Sequence, residues 1–410
     1  MFGKIKEVLF APTVIEDKFD SVCFNLILFD IFFVPLFPWF SVSVSLPVII
    51  YWYFRRKRVT AFEPERNGFA IIVFLMAIST IFSLIGFDGS LYQTDFVTSF
   101  KRFVQYITSF WYFFFFLYFF VKYKRQINNI VFFEIIYITL YALLYSFNQD
   151  AFVQLKQVLC PFDPQVNRWL DGGILLVYRF NYLWADPNNV AYAVTGLSLF
   201  YLIEEKISTL KKYIVLACLA YILLCTMSLG GIGVAIVLIL YLYIFTDRMR
   251  SSSSAVIVGL CALVIIGGYV LSNLEYFAEF IESGIGQRQE LYGKEGMAGG
   301  GGRWNDFLKG LGKFSPLFLI VGSGQEGFVT EIGHIYVWYM YGLPVYIYFM
   351  RILFSKRKKQ SLTEYLPIIP FFVGFTMNIA IGEQKFLLLL LLISAYFSAK
   401  SYNLQHQNVI

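Results

Sequence analysis

The sequence predicts an all-α polytopic membrane protein of about twelve transmembrane helices, built as one integral membrane domain over residues 1–410. Three observations predict it. The composition is 58% hydrophobic, 20% aromatic and only 15% charged, with a mean hydropathy of +0.64, too little charge to cover a water-facing surface. Apolar runs of about 17–20 residues, each long enough to cross ~30 Å of hydrocarbon, recur along the chain. Lys and Arg gather on alternate short loops between those runs.

In chain order, residues 1–20 are mixed polar and carry no signal-peptide core, so the first span is expected to be an uncleaved anchor. Spans are expected at 22–38 and 40–54, ending at Arg55-Arg56-Lys57-Arg58. The next are 69–87 and 103–121, followed by Lys122-Tyr123-Lys124-Arg125. A fifth, 129–147, leads into a long loop at 148–188. Spans then follow at 189–203, 213–228, 231–245 and 255–272, before a second long loop at 273–333. The last three are 334–354, 365–381 and 386–400.

Basic residues orient this array. With the N-terminus inside, 22 of the 33 Lys and Arg fall on inside segments or at the inside ends of the spans, although the outside loops are much longer. Both termini are therefore expected in the cytoplasm, with the loops 148–188 and 273–333 outside. The net charge of +6 is mostly this orientation signal, and no aromatic-interleaved basic stripe marks a nucleic-acid partner. Four of the five cysteines (Cys23, Cys218, Cys225, Cys261) fall in spans and only Cys160 in a loop, so no disulfide framework is expected. The two halves show no internal repeat of the kind common in transporters.

Chemistry must then be sought in the two long loops. In the second, Gly299, Gly300, Gly301 and Gly302 precede Arg303 and Trp304. Such a run lets successive backbone N–H groups converge on an anion, and the planar arginine fork suits phosphate oxygens. Arg288 lies upstream, in Gly286-Gln287-Arg288-Gln289. The plainer reading is a flexible loop with a solvated arginine. Further on, Glu331, His334 and Tyr336 open the next span. A histidine at the aqueous mouth of a helix can take a proton from a hydroxyl, or it can simply anchor the helix end. The first loop ends in Arg179, Trp184 and the run Asp186-Pro187-Asn188-Asn189, which reads as a turn and helix cap and leaves Arg179 unexplained. Thr226-Met227-Ser228-Leu229-Gly230-Gly231 reads as a tight packing turn of small residues. Asp30 and Glu134 fall inside spans and, with no partner evident, read as structural. Neither an HExxH motif, paired cysteines nor an Asp-rich cluster appears, so no metal and no other cofactor is expected.

Gly302-Arg303-Trp304, Leu308, Gly310, Ser315-Pro316-Leu317, Gly322-Ser323-Gly324 and His334, with Arg179, Trp184 and Asp186-Pro187-Asn188 upstream, resemble the motifs of the O-antigen polymerase and O-antigen ligase superfamily. The resemblance implies a membrane glycosyltransferase of the C type (a GT-C-like fold) in the bacterial inner membrane, its site and two large loops facing the periplasm. It also implies an undecaprenyl-pyrophosphate-linked oligosaccharide as donor, membrane lipid around it, and no nucleotide sugar or metal. A separate co-polymerase that sets chain length is an expected partner. One departure stands out. Relatives, ligases especially, often carry arginine after the Thr-x-Ser or Thr-x-Thr of the turn between the seventh and eighth spans, where this chain has Leu229. The spacing from Arg288 to Gly299 matches one seen in some polymerases.

The resulting expectation is a polymerase for O antigen or a related surface polysaccharide. Arg303 and Arg179, with Arg288, hold the donor pyrophosphate. His334 orients or deprotonates the acceptor hydroxyl, with Glu331 as the other candidate. Trp304, Asp186, Asn188 and Tyr336 line the substrate. The alternatives are a ligase that moves glycan onto lipid A-core, and a polysaccharide flippase or other transporter.

Overall fold

The computed structural model describes residues 17–35, 42–56, 63–85, 96–161, 163, 166–167, 170, 178–203, 207–245, 320–324, 332–354, 362–377 and 383–406. Arg288, Arg303, Trp304, Glu331 and the span expected at 255–272 lie outside them. The described residues are helical, with no strand. The chain divides into two compact units, 1–235 with 314–410, and 236–313. Of the second unit only 236–245 is described, as the end of one uniformly apolar helix. All contacts below lie within the first.

The helices are α1 (Lys18–Phe33), α2 (Leu46–Arg56), α3 (Glu63–Ile85), α4 (Phe96–Tyr123), α5 (Asn128–Phe147), α6 (Gln149–Leu159), α7 (Pro187–Leu202), α8 (Thr209–Thr226), α9 (Leu229–Phe245), α10 (Gly333–Tyr341), α11 (Leu343–Phe354), α12 (Ile369–Met377) and α13 (Gln384–His406). A 3₁₀ turn covers Leu362–Tyr365. α4, α5, α8 and Gln384–Tyr402 of α13 are long and apolar enough to cross a membrane. Shorter apolar stretches are Gly68–Phe82, Gly230–Tyr243 and Leu343–Phe354. The chain is thus a helical protein of multi-pass membrane character.

Local chemistry sets the helix ends. Asp17 accepts from the Phe19 N–H at 2.8 Å and caps α1. Asn148 closes α5 through its backbone N–H and opens α6 by accepting from Ala151 N–H at 3.0 Å, so one residue turns the chain between two helices. Asp186 caps α7, with Pro187 in the first turn where its missing N–H does no harm. α8 stops at Met227, which adopts φ 52°.

α13 and α4 form the centre. About 83% of the α13 span and 67% of the α4 span is buried, against 33% for α5 and α8, which therefore keep broad faces free for lipid. The leucines from Leu387 to Leu392 are all enclosed, and on α4 Phe115, Phe116 and Phe119 are fully buried. Two polar knots hold the ends. At one, Asp20 accepts from Trp52 Nε1 (3.0 Å), Arg56 Nε (2.8 Å) and the Tyr123 hydroxyl (2.6 Å), and Arg125 donates to Ser21 Oγ at 3.1 Å. The basic ends of α2 and α4 therefore sit together. At the other end of α1, Asp30 meets Lys385 Nζ at 2.9 Å.

Expected elements differ in places: the loop at 148–188 opens with helix α6, the described part of the span at 40–54 is helical only from Leu46, and the span at 334–354 is interrupted. A continuous span at 334–354 is broken at Gly342, which has φ 84°. Across the break Tyr346 returns to within 3.2 Å of His334, whereas twelve residues of straight helix would separate them by ~18 Å. Residues 320–324 fill the opening: Ser323 and Gly324 N–H groups donate to the Tyr339 and Met340 carbonyls at 2.8 and 2.9 Å, satisfying the exposed end of α10.

Candidate functional site

Opposite the Asp20 knot, the loop before α7 meets the start of α7, the end of α8 and the residues opening α13. Arg179 is half-buried there. Its Nε donates to the Thr226 carbonyl at 3.0 Å, and its Nη2 to Asn188 Oδ1 at 3.2 Å and the Met227 carbonyl at 3.3 Å. The guanidinium thus lies on the carboxyl end of α8, where exposed carbonyls favour a cation. Ser228 Oγ donates to the same Asn188 oxygen at 2.9 Å and accepts from Gly231 N–H at 3.2 Å, tying in the start of α9. The turn read as packing alone is also the seat of Arg179. Asp186 accepts from Asn188 N–H at 2.6 Å. Its cap is what aims Asn188.

A second group lies beside the first. Lys156 of α6 and Asp163 form a buried ion pair at 2.6 Å, and Lys156 Nζ also donates to the Trp184 carbonyl at 2.7 Å. Asn181 donates to Asp163 Oδ2 at 3.4 Å and accepts from the Tyr178 hydroxyl at 3.0 Å. Glu383 accepts from Asn189 Nδ2 at 2.7 Å and from Ala185 N–H at 3.4 Å. Trp184 C=O and Ala185 N–H belong to one peptide group, so a buried amine and a buried carboxyl hold that peptide by its two ends.

Burial dominates the electrostatics. It pushes the Glu383 carboxyl up to about 8, with Asp186 adding to the rise while the Asn189 bond and Lys156 oppose it. Burial also lowers Lys156 below the ordinary lysine value, against the pull of Asp163. A third group adjoins the second at α13: Lys385 Nζ bonds Asp30 and, at 3.3 Å, Ser43 Oγ, while Gln384 accepts from Ser43 N–H and donates to Thr108 Oγ1 at 3.2 Å. Asp30, read as structural for want of a partner, has one in Lys385.

The structure brings Arg179, Asp186 and Asn188 together. His334 and Tyr336 lie on α10, and the bonds that join those three residues do not reach them. His334 Nε2 faces the Phe372 carbonyl at 3.0 Å and Nδ1 faces the Tyr346 hydroxyl at 3.2 Å. A carbonyl can only accept, which assigns the proton to Nε2 and leaves the Nδ1 lone pair on Tyr346. His334 packs its ring 4.4 Å from that of Phe372. It is half-buried at a helix junction rather than standing in an open helix mouth, because the chain turns back at Gly342. Tyr336 is buried.

Sequence reasoning missed Lys156, Asp163, Asn189, Glu383 and Lys385. The last two had a visible signal: a Glu-Gln-Lys triplet opening a long leucine run is costly at a membrane span unless each charge finds a partner. Lys156 had none, since it looks like any solvated loop lysine. The chain matches no protein-family model and no curated protein.

Proposed function

We propose that this chain is a membrane polysaccharide polymerase that moves a growing glycan from undecaprenyl pyrophosphate onto a hydroxyl of a lipid-linked repeat unit. In this reading the fold is GT-C-like with about twelve spans, the protein sits in a bacterial inner membrane, and both termini are cytoplasmic. The observation that carries the reading is the seat of Arg179. Superfamily members often place an arginine in the turn that here reads Thr226-Met227-Ser228-Leu229. Arg179, from the other loop, lies on that turn and supplies the positive charge that Leu229 cannot.

The chemistry is a displacement at the anomeric carbon of the donor. The acceptor oxygen forms the new bond as the bond to pyrophosphate breaks, and the leaving undecaprenyl pyrophosphate takes the electron pair. Attack opposite the leaving group inverts the centre. Arg179 stabilises the charge that develops on the pyrophosphate, and the sequence motifs make Arg303 and Arg288 candidates for the same role. The acceptor proton passes to His334, once its Nδ1 lone pair is released from Tyr346, or to Glu331. Trp304, Asp186 and Asn188 line the substrate, while Tyr336 is buried on α10 and takes no part.

The spacing from Arg288 to Gly299 favours polymerase over ligase, and one comparison separates them from each other and from a flippase. Lipopolysaccharide from a deletion strain is run on a gel and its carrier-linked sugar is blotted. Core bearing a single repeat unit with the ladder lost is the expected result. Bare core with long polymer held on the carrier means a ligase. Bare core with single units on the carrier means a flippase and removes the enzyme reading. Arg303→Ala, expressed at parental level, is expected to abolish long polymer; unchanged chain length and yield would remove Arg303 from the donor clamp.

A further inference from the structure

Glu383 has no place in the chemistry above, yet it is buried against the turn that carries Asn188. Its carboxyl bonds Asn189 Nδ2 at 2.7 Å and reaches the Ala185 N–H at 3.4 Å. Those two contacts bracket Asp186, whose side chain fixes the Asn188 N–H at 2.6 Å. Asn188 Oδ1 in turn meets Arg179 Nη2 at 3.2 Å. A continuous path of hydrogen bonds and one covalent turn therefore runs from Glu383 to the guanidinium. We propose that Glu383 is a positioning residue of the transfer site, holding the Ala185–Asn189 turn so that Asn188 presents Arg179 to the donor pyrophosphate. The proposal rests on the polymerase reading.

The surroundings say which form of Glu383 does this. Asp186 faces it from the α7 side, Lys156 and Cys160 from α6, while its neighbour Lys385 is engaged by Asp30. Lys156 is already paired to Asp163. With its carboxyl raised to about 8, Glu383 is mostly the neutral acid at pH 7; its carbonyl oxygen accepts the short bond from Asn189, and its hydroxyl oxygen takes the long 3.4 Å contact with Ala185 N–H. Ionisation adds a second negative charge beside Asp186 and strains the turn.

The test uses the purified full-length chain with the undecaprenyl-pyrophosphate-linked repeat unit extracted from the deletion strain, and measures polymer formation. Glu383→Ala is expected to lower kcat/KM by about tenfold, chiefly through the KM for the donor. Glu383→Gln, which keeps the acceptor oxygen, recovers most of that loss. Asn189→Ala removes the same bond from the other side and reproduces the KM effect, should Glu383→Ala fail to fold. In the Arg179→Ala background, Glu383→Ala adds little. Parental activity falls as pH rises through about 8, and that fall is absent in Glu383→Gln. Parental KM in Glu383→Ala, or an undiminished effect of that change in Arg179→Ala, overturns the positioning role and leaves the polymerase reading intact. A parental protein that makes no polymer overturns both.

Discussion

Arg179 satisfies carbonyls that the end of α8 would otherwise leave without intrahelical partners. Arg179→Ala is therefore expected to lose about 1–3 kcal/mol of stability as well as activity, visible as a lower thermal midpoint of the detergent-purified chain. The Lys156–Asp163 pair gives a sharper contrast, since both side chains are enclosed. Asp163→Ala leaves a buried ammonium unpaired and is expected to cost about 3–5 kcal/mol. Lys156→Met with Asp163→Leu removes both charges and is expected to stay within about 2 kcal/mol of the parent or exceed it, by the same measurement. Glu383 adds a pH signature. Its folded carboxyl is raised above the ordinary value of 4.5 to about 8, so the folded chain holds a proton that the unfolded chain has lost. The stability it contributes is fully present below about pH 4.5 and is lost as pH rises to about 8. Thermal midpoints measured across that window should decline in the parent and decline less in Glu383→Gln.

At the scale of elements, the junction of α10 and α11 carries the most specific demand. Gly342 has φ 84°, and a Cβ there would collide with the Ile320 carbonyl oxygen. Both the backbone sign and the space exclude a side chain. Gly342→Ala is expected to destabilise by about 2 kcal/mol or more and to displace His334, whose Tyr346 contact depends on the turn. Gly233→Ala is the control: a Cβ there meets nothing within 4 Å, and the change should gain up to about 1 kcal/mol from helix propensity. Comparing the two midpoints separates a glycine required by geometry from one that is tolerated. The segment 320–324 belongs to the same junction. Gly322-Ser323-Gly324, a motif of the resemblance, acts here by capping the carbonyls of α10.

For the whole molecule, the ends of the bundle are chemically distinct. Asp20, Arg56, Lys122 and Arg125 gather at one end, and Arg179, Lys156, Glu383 and Lys385 at the other. If the bundle spans a membrane, cysteines placed in a cysteine-free background at the exposed positions Gln154 and Lys124 must face opposite sides. Gln154→Cys is expected to react with an impermeant maleimide in spheroplasts, and Lys124→Cys only after permeabilisation. Labelling of both in intact spheroplasts would contradict the orientation drawn from the basic residues.

Sequence alone determined the helical membrane class, the order of most helices and the grouping of basic ends, because each follows from local composition. Hydrocarbon admits only long apolar helices, and the positive charges of short loops stay on one side. The cap at Asp186 was also legible, since Asp-Pro-Asn acts within a single turn. Partnership came from folding. Asp30 with Lys385, and Asn189 with Glu383, are joined across about half of the chain or more, and no local pattern carries such a pairing. The break at Gly342 was hidden in an apolar run because its cause is the docking of residues 320–324, twenty positions upstream. Arg179 shows both limits at once. Its oddity in the loop was readable, but its seat on α8 exists only because folding brings a helix end beneath it.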